Sequence, residues 1–306
     1  MHELFFVLAL AVLIDRAFGE PPDRFHSTAW IGNFSELIKK HLNNSILHGM
    51  FLFFFVTLIS SGTALFLLLL FELKGQVLAI FLGGLILKMQ FSWRGLSDHA
   101  LPIAKEQDME KARNMLSHIV GRDTRSLDKK GILSATVESV GEGTNDGIIA
   151  PLFYYLLFGS VFGLPAGVSA AVFFRATNTL DSMVGYDKEG FNRIGFLSAR
   201  ADDILNFFPA RVTALLMMLS SFILRENFKN AVRIFRRDRK NTKSPNSGQT
   251  MAAMAGALGV RLEKPGHHTL GEPLRELQSR DVKRAIGISN LATVLFLFAS
   301  AVIILQ

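Results

Sequence analysis

The chain has 306 residues, 49% of them hydrophobic, 27 phenylalanines and a formal net charge of +7. It contains no cysteine, which excludes disulfides, thiolate metal sites, iron–sulfur clusters and cysteine nucleophiles. The apolar residues come in long blocks rather than spread as in a soluble core, so an integral membrane protein is expected.

In chain order, Leu4–Ile14 has signal-peptide length. His2 and Glu3 stand where a basic leader would, and no small-x-small cleavage site follows, so it reads as a retained first span. "GEPPDRFH", 19–26, leaves it through two prolines that stiffen the exit, with Glu20 and His26 available to a site. Ile46–Phe71 is 26 residues with His48 as its only ionisable group, and Val77–Phe91 follows. Helix-period patterning runs from Ala104 to Ile119. Ile148–Phe174 is interrupted by Pro151, Gly159, Gly163, Pro165 and Gly167, while Ile204–Leu224 contains Pro209 and Arg211. "NFKNAVRIFRRDRK", 227–240, puts Phe228, Val232 and Phe235 on one side of a basic interfacial helix. Ile286–Leu305 is 20 residues without an ionisable group.

Strand-type alternation is scarce. The expected fold is all-α: a polytopic membrane protein, one domain over 1–306, with four firm spans plus two broken or re-entrant segments, or six crossings if every segment crosses. Polar stretches at 15–45, 92–147, 175–203 and 225–285 separate the apolar ones. Between Arg225 and Arg284 there are 14 Lys and Arg against 6 Asp and Glu, a balance of +8. A basic stretch between apolar segments is the positive-inside signature, which places it in the cytoplasm. The stretch 175–203 also carries four Lys and Arg. With two segments re-entrant, every polar loop of this multi-pass chain faces the cytoplasm from the cell membrane. The lipid bilayer accounts for the basic excess, and no nucleic-acid partner is expected.

Four clusters can carry chemistry. In "ATVESVGEGTNDGIIAPL", Glu138 and Glu142 are spaced i, i+4 on one helical face and Asp146 follows. Like charges at that spacing repel, unless a cation sits between them. Gly141, Gly143 and Gly147 loosen the helix end, and Asn145 and Asp146 can fold back on it. Such oxygen ligands suit Mg²⁺, which usually needs one or two carboxylates plus substrate phosphates; an ordinary solvated helix end is the plainer alternative. "SHIVGRDT", 117–124, offers His118, Arg122 and Asp123 around a Gly121 turn, suited to anion binding or proton transfer, or to a surface Arg–Asp pair. Arg175, Asn178, Thr179, Asp181 and Ser182 lie directly beyond an apolar stretch. Asp202, Asp203 and Asn206 occupy one side of the next helix, either as caps or lining a polar cavity. "KSPNSGQTMAAMAGALGVRL" begins with a turn whose backbone N–H groups can meet an anion at a helix N-terminus. It has no Gly-Lys-Ser/Thr and is not a Walker A loop.

Taken in order, GEPP, SHIVGRDT, VESVxExTxDGxxAPL, RxxNTLDSMVGY, ARxDDxLNxxPAR and SPNSGxxxAAMAGALGVRL resemble the adenosylcobinamide-phosphate synthase (CobD/CbiB) family of cobalamin biosynthesis, from about residue 15 to 262. The resemblance implies a membrane ligase of late corrinoid assembly. It would join a carboxylate of adenosylcobyric acid to the amine of (R)-1-amino-2-propanol phosphate, or aminopropanol, through an amide, with ATP as cosubstrate and Mg²⁺ as metal. It makes Glu138, Glu142, Asp146, Asp181, Asp202 and Asp203 metal candidates. Arg122, Arg175, Arg200, Arg211, Ser244, Asn246 and Ser247 become phosphate candidates, with Asn178 beside them. His118 is the general-base candidate, and Asp123, Glu142 and Asp181 join it and Arg122 in the catalytic set. Other late-pathway membrane enzymes are conceivable partners. The sequence departs from the family pattern at His26-Ser27-Thr28 (commonly His-Pro-Val), at Gly143 (usually Asn), at Gln249-Thr250 (a Trp-Pro-like pair) and at His267-His268-Thr269-Leu270-Gly271 (often Tyr-x-Gly).

Two other classes compete. A transporter also uses broken helices with internal charges, but no paired repeats are found. A lipid-headgroup phosphotransferase also places carboxylates and Mg²⁺ at the interface, but the Asp-Gly-x-x-Ala-Arg motif of the CDP-alcohol enzymes is absent.

Overall fold

A computed structural model describes residues 2–22, 24, 26–185 and 193–306. The chain is an all-α polytopic membrane protein, as its hydropathy predicts, with one short hairpin as the exception among the described residues. Four helical stretches are long and apolar enough to cross a membrane: Ile46–Lys74, Gln76–Lys105, Lys129–Phe162 and Ser279–Leu305. A bent pair, Phe196–Leu205 with Phe207–Ile223, qualifies only as a unit. The number of firm spans matches expectation, but their membership differs. Leu4–Ile14 lies in a helix of 17 residues, His2–Phe18, about 25 Å long, just short of a bilayer core. Its place is taken by Lys129–Phe162, because the polar stretch 92–147 is itself mostly helical.

The chain forms two compact units. The first comprises Met1–Ser92, Ala150–Leu205 and Ala299–Gln306. It holds α1 (His2–Phe18), α2 (Ser27–Lys39), α3 (Ile46–Lys74), α4 (Gln76–Lys88), α8 (Ala150–Phe162), α9 (Leu164–Val184) and α10 (Phe196–Leu205). α3 is apolar on every side, as a helix in lipid is. Leu52, Phe53, Val56 and Leu68 are buried, while Phe51, Phe54, Leu58 and Phe66 stay exposed. The interruption expected in 148–174 falls at one residue. Gly163 takes φ +88°, which a side chain would oppose, and ends α8 before α9 begins with Pro165 in its first turn. Pro151, by contrast, sits at the start of α8, directly after a π turn over Asn145–Ile149 that absorbs the N–H it lacks. Gly159 and Gly167 do not break their helices either. They let α8 and α9 approach: a Cβ on Gly167 would lie 2.7 Å from the Tyr155 carbonyl oxygen and 2.8 Å from Gly159 Cα.

The second unit comprises Trp93–Ile149 and Asn206–Phe298. It holds α5 (Trp93–Lys105), α6 (Met109–Ser117), α7 (Lys129–Thr144), the π turn, α11 (Phe207–Ile223), α12 (Phe228–Asp238), α13 (Ser247–Leu258), β1 (Arg261–Lys264), β2 (His268–Gly271) and most of α14 (Ser279–Leu305). Its core is rich in small side chains of α13 (Ala252, Ala253, Ala255, Ala257) packed with Val137 and Val140 of α7 and Ala231 and Ile234 of α12. α12 is therefore anchored on protein through Ala231 and Ile234, with Val232 and Phe235 partly buried and Phe228 exposed at its edge. The pattern Ala104–Ile119 is two helices, not one. Asp108 caps α6 by accepting from the N–H groups of Glu110 and Lys111. α7 runs unbroken through Gly141 and Gly143; rather than loosening it, Gly141 brings it against the Met251 backbone, 3.5 Å from a Cβ placed there. The hairpin pairs Arg261 with Gly271 and Lys264 with His268, antiparallel.

Replacing Gly167 by Ala is expected to cost about 1–3 kcal/mol through overpacking of the α8–α9 contact. Urea unfolding in detergent measures it; a loss within error of zero would show that the helices can part freely.

Candidate functional site

The first polar cluster lies in unit 1, where the apolar helices α1 and α4 end. Asp15, in the last turns of α1, is fully buried, and Lys88 closes α4 at 4% exposure. Lys88 Nζ stands 3.1 Å from Asp15 Oδ1 and 3.1 Å from Glu20 Oε1. Glu20 Oε2 is in turn 2.6 Å from His26 Nε2. His26 caps α2 with its other ring nitrogen, Nδ1, which accepts from the Thr28 N–H. Nε2 therefore carries the proton and donates to Glu20. Ser27, where the family commonly has Pro, donates to the Met89 carbonyl at 3.1 Å.

From this end of α4 the cluster continues into α9. Arg175 Nε donates to the Gln90 carbonyl at 2.9 Å, and its Nη1 to Asn178 Oδ1 at 3.3 Å. Asn178 Nδ2 passes the chain on to Asp202 Oδ1 of α10 at 3.1 Å. The sequence motifs at 175–182 and 198–211 thus meet through Arg175, Asn178 and Asp202. Asp181 and Asp203 are half-buried nearby in sequence, whereas Arg200 is exposed and lies 5.7 Å over the Phe196 ring. Tyr186, the end of the first of those motifs, falls outside the described residues. Asp15, Lys88 and Gln90 were not among the sequence candidates. The available signal was an ionisable residue inside or closing an apolar helix, which is costly unless paired.

Unit 2 holds the carboxylates of α7. Glu138 and Glu142 share a face, as their spacing requires, but not an environment: Glu138 is 6% exposed and Glu142 is exposed. Glu138 Oε1 accepts from the Ser134 hydroxyl at 2.8 Å. Its Oε2 faces Arg122 Nη2 at 3.5 Å and His268 Nε2 at 3.4 Å. The repulsion expected between Glu138 and Glu142 is thus relieved on one side by Arg122. Of SHIVGRDT only Arg122 reaches this site. α6 ends at Ser117, leaving His118 exposed at its C-cap, and Asp123 makes a bidentate surface pair with Arg125.

At the π turn, Asn145 is 2% exposed and fully engaged. Its amide donates to Asp146 Oδ1 at 2.6 Å and to Asn206 Oδ1 at 2.8 Å, and its oxygen accepts from Thr213 at 3.0 Å. This buried network ties α7 to the start of α11. α11 also carries Arg211, which lies 3.5 Å over the Phe207 ring and donates to Asn246 Oδ1 at 3.2 Å. Asn246 is the N-cap of α13. The turn before α13 and the helix start spend amides locally: Asn246 N–H donates to Ser244 Oγ at 3.3 Å and Gly248 N–H, in the first turn of α13, to Thr242 Oγ1 at 3.1 Å. Ser247, the first residue of α13, is half-buried. Among the described residues no three His, Asp or Glu side chains converge as a preformed metal site. Mg²⁺ does not demand one, since phosphates and waters complete its shell; Glu142 and Asp146 present carboxylates of the right chemistry four residues apart.

Glu20 is held at about 2, below its ordinary 4.5: burial pushes it up, but the His26 hydrogen bond and the Lys88 charge outweigh burial. A lowered carboxylate contributes stability that is present above its unfolded value and lost as pH falls through its folded value, here between about 4.5 and 2. Glu20→Gln is expected to lower the thermal midpoint at neutral pH and to flatten its decline across that window. Thermal unfolding in detergent at stepped pH reads both, and an unchanged slope would remove Glu20 from the cluster's electrostatics.

The relatives of this chain point one way. The CobD/Cbib protein family matches residues 8–290. The "Probable cobalamin biosynthesis protein CobD" of Methanothermobacter thermautotrophicus is 40% identical over 301 residues, 98% of this chain and 97% of its own length. The "Cobalamin biosynthesis protein CobD" of Clostridium perfringens is 36% identical over 97% of this chain and 96% of its own. The Pyrococcus furiosus "Probable cobalamin biosynthesis protein CobD" is 38% identical over 97% of this chain and 98% of its own. No solved structure matches the chain. Spanned almost from end to end by these relatives, the chain belongs to the CobD/CbiB family of cobalamin biosynthesis proteins.

Proposed function

We propose that the chain is the amide-forming ligase of late cobalamin assembly, adenosylcobinamide-phosphate synthase. In this reading a carboxylate of adenosylcobyric acid is activated by ATP as an acyl phosphate, releasing ADP. The amine of (R)-1-amino-2-propanol phosphate, or of aminopropanol, attacks the acyl carbon. Phosphate leaves, the amine loses a proton, and an amide remains. The basic stretch 225–285 faces the cytoplasm, where ATP is available.

The observation that carries the reading is the placing of guanidinium groups in unit 2: Arg122 beside buried Glu138, and Arg211 on the N-cap of α13. Guanidinium groups there suit phosphates, whose charge they absorb as it develops. Glu142 and Asp146 would hold Mg²⁺, which when bound neutralises phosphate oxygens shared with it. Glu138, already facing Arg122 and His268 and accepting from Ser134, orients Arg122 rather than joining the metal. Asn145 keeps Asp146 in place through its buried amide. His118 is exposed, which suits a group that exchanges protons with water better than one that works in a dry site. In unit 1, Arg175 and Asn178 are fixed by Gln90 and Asp202 and present a second cationic position for a phosphorylated or carboxylated substrate. The names of the relatives favour neither transport nor lipid-headgroup transfer.

Purified protein in detergent, incubated with adenosylcobyric acid, aminopropanol phosphate, ATP and Mg²⁺, is expected to give the amide, identified by mass. Glu142→Gln should lower the rate on the order of 10²-fold, the scale of removing one group that stabilises developing charge, with an unchanged melting curve. Absence of product, with substrate uptake into proteoliposomes instead, would overturn the ligase reading.

A further inference from the structure

The β1–β2 hairpin is a short exception in a helical chain, and it brings a histidine where the family often has a different pattern. His268 pairs with Lys264 across the hairpin, on the face that carries Leu262 and Leu270. Both leucines are fully buried, so this is the core side. The His268 side chain is accordingly only 9% exposed. Its Nε2 is buried and makes no hydrogen bond, although Glu138 Oε2 lies 3.4 Å away. Arg122 repeats the arrangement from the other side: Nη2 is 3.5 Å from the same oxygen, and Nη1 is buried without a hydrogen-bond partner.

Charge-assisted N–H···O bonds normally close to about 2.7–2.9 Å. Here two side-chain nitrogens approach one carboxylate oxygen without closing on it, and each side chain keeps hydrogen-bonding capacity unused in a buried place. Buried donors of this kind ordinarily find a partner. The other oxygen of Glu138 accepts from Ser134, and Oε2 closes on neither nitrogen. Further positive charge surrounds the hairpin turn. Exposed His267 is held below its ordinary value by Lys264 first, then by its desolvation, and by Lys243, His268 and Arg122. Glu138 already faces Arg122 and His268, and Glu263 of the same hairpin is paired with Arg261. A phosphate brings three acceptor oxygens and up to two negative charges, enough to take a short bond from each donor at once.

We propose that Arg122 and His268 together bind an oxyanionic phosphate group, with the hairpin supplying the half of the site that Arg122 lacks. Binding itself stands without the ligase reading; which phosphate fills the site, that of the amino-alcohol or that of the nucleotide, rests on it.

The test is calorimetric titration of the full chain in detergent with inorganic phosphate, then separately with phosphoethanolamine and with a non-hydrolysable ATP analogue plus Mg²⁺. His268→Ala and Arg122→Gln are each expected to weaken phosphate by at least about tenfold. Thr269→Ala, at an exposed position next door, should leave it unchanged. Glu138→Gln should keep or tighten binding, because it removes the competing carboxylate. Preferential loss of phosphoethanolamine assigns the site to the amino-alcohol, and preferential loss of the analogue assigns it to the nucleotide. Should His268→Ala fail to fold, the wild-type protein with ¹⁵N-labelled histidine still decides: the His268 Nε2 resonance must move on adding phosphate. Wild-type affinity in a folded His268→Ala protein, or an unmoved resonance, overturns the proposal. Loss of phosphate binding in His268→Ala, in a protein that makes no amide from any substrate pair, would sink the ligase reading and leave the site standing.

Discussion

Charge beside lipid-facing helices must be paired, and the ion pair of Asp15 with Lys88 shows how strictly this chain obeys. Both side chains are almost completely shielded, 0% and 5% exposed, at the ends of apolar helices. Taking either charge out of water alone costs several kcal/mol, which an opposite charge at contact and further hydrogen bonds must offset. Lys88 therefore collects a second carboxylate, Glu20, and the Phe91 carbonyl. Glu20 in turn fixes His26, and His26 starts α2. The GEPP corner is stiff because it is held at both ends: by its prolines and by the ammonium of a helix nearly seventy residues further along the chain.

The same constraint organises unit 2. Asp281, fully buried at the start of α14, accepts from Arg275 at 2.6 Å and from Arg284 at 2.9 Å. Arg284 also binds Glu226, so the entrance to the last span is closed by alternating charges. Asp238 takes the Gly271 N–H at 2.7 Å and an Arg237 guanidinium, which pins the far end of the hairpin. These networks are satisfied on every side that matters to folding. At Glu138, by contrast, Arg122 and His268 stand 3.5 and 3.4 Å from the carboxylate, and Arg122 Nη1 and His268 Nε2 are buried without a hydrogen-bond partner. Satisfied pairs serve structure, and the unpartnered nitrogens beside Glu138 are where the proposed phosphate would bind.

Much of the fold was legible because hydropathy is a local signal. Ile46–Lys74 and Ser279–Leu305 follow from uninterrupted apolar runs, and Gly163 breaks its segment where glycine and proline cluster. Helix boundaries inside the polar stretches were not legible, since caps such as Asp108 compete with a periodicity that continues across them. Nor could the glycines of α7 be assigned: Gly141 serves close packing on α13, which depends on a residue about a hundred positions away. The candidate site divides in the same manner. Glu138, Arg122, Arg175, Asn178, Asp202, Arg211 and Asn246 stood out as polar residues beside apolar segments. Their partners Lys88, Gln90, Thr213 and His268 were not site candidates, because each acquires its role only through a tertiary contact. His118 and Asp123 drew notice from the same motif as Arg122, yet helix α6 ends so as to leave both on the surface.

If pairing is the constraint that shapes this chain, it must appear as an energetic coupling, and Asp15 with Lys88 offers the cleanest place to look. The measurement is a double-mutant cycle of Asp15→Asn, Lys88→Met and the two combined, by denaturant unfolding in detergent. The pairing account predicts that each single variant loses about 3–5 kcal/mol, and that the double variant is no less stable than either. Losses that simply add would contradict it.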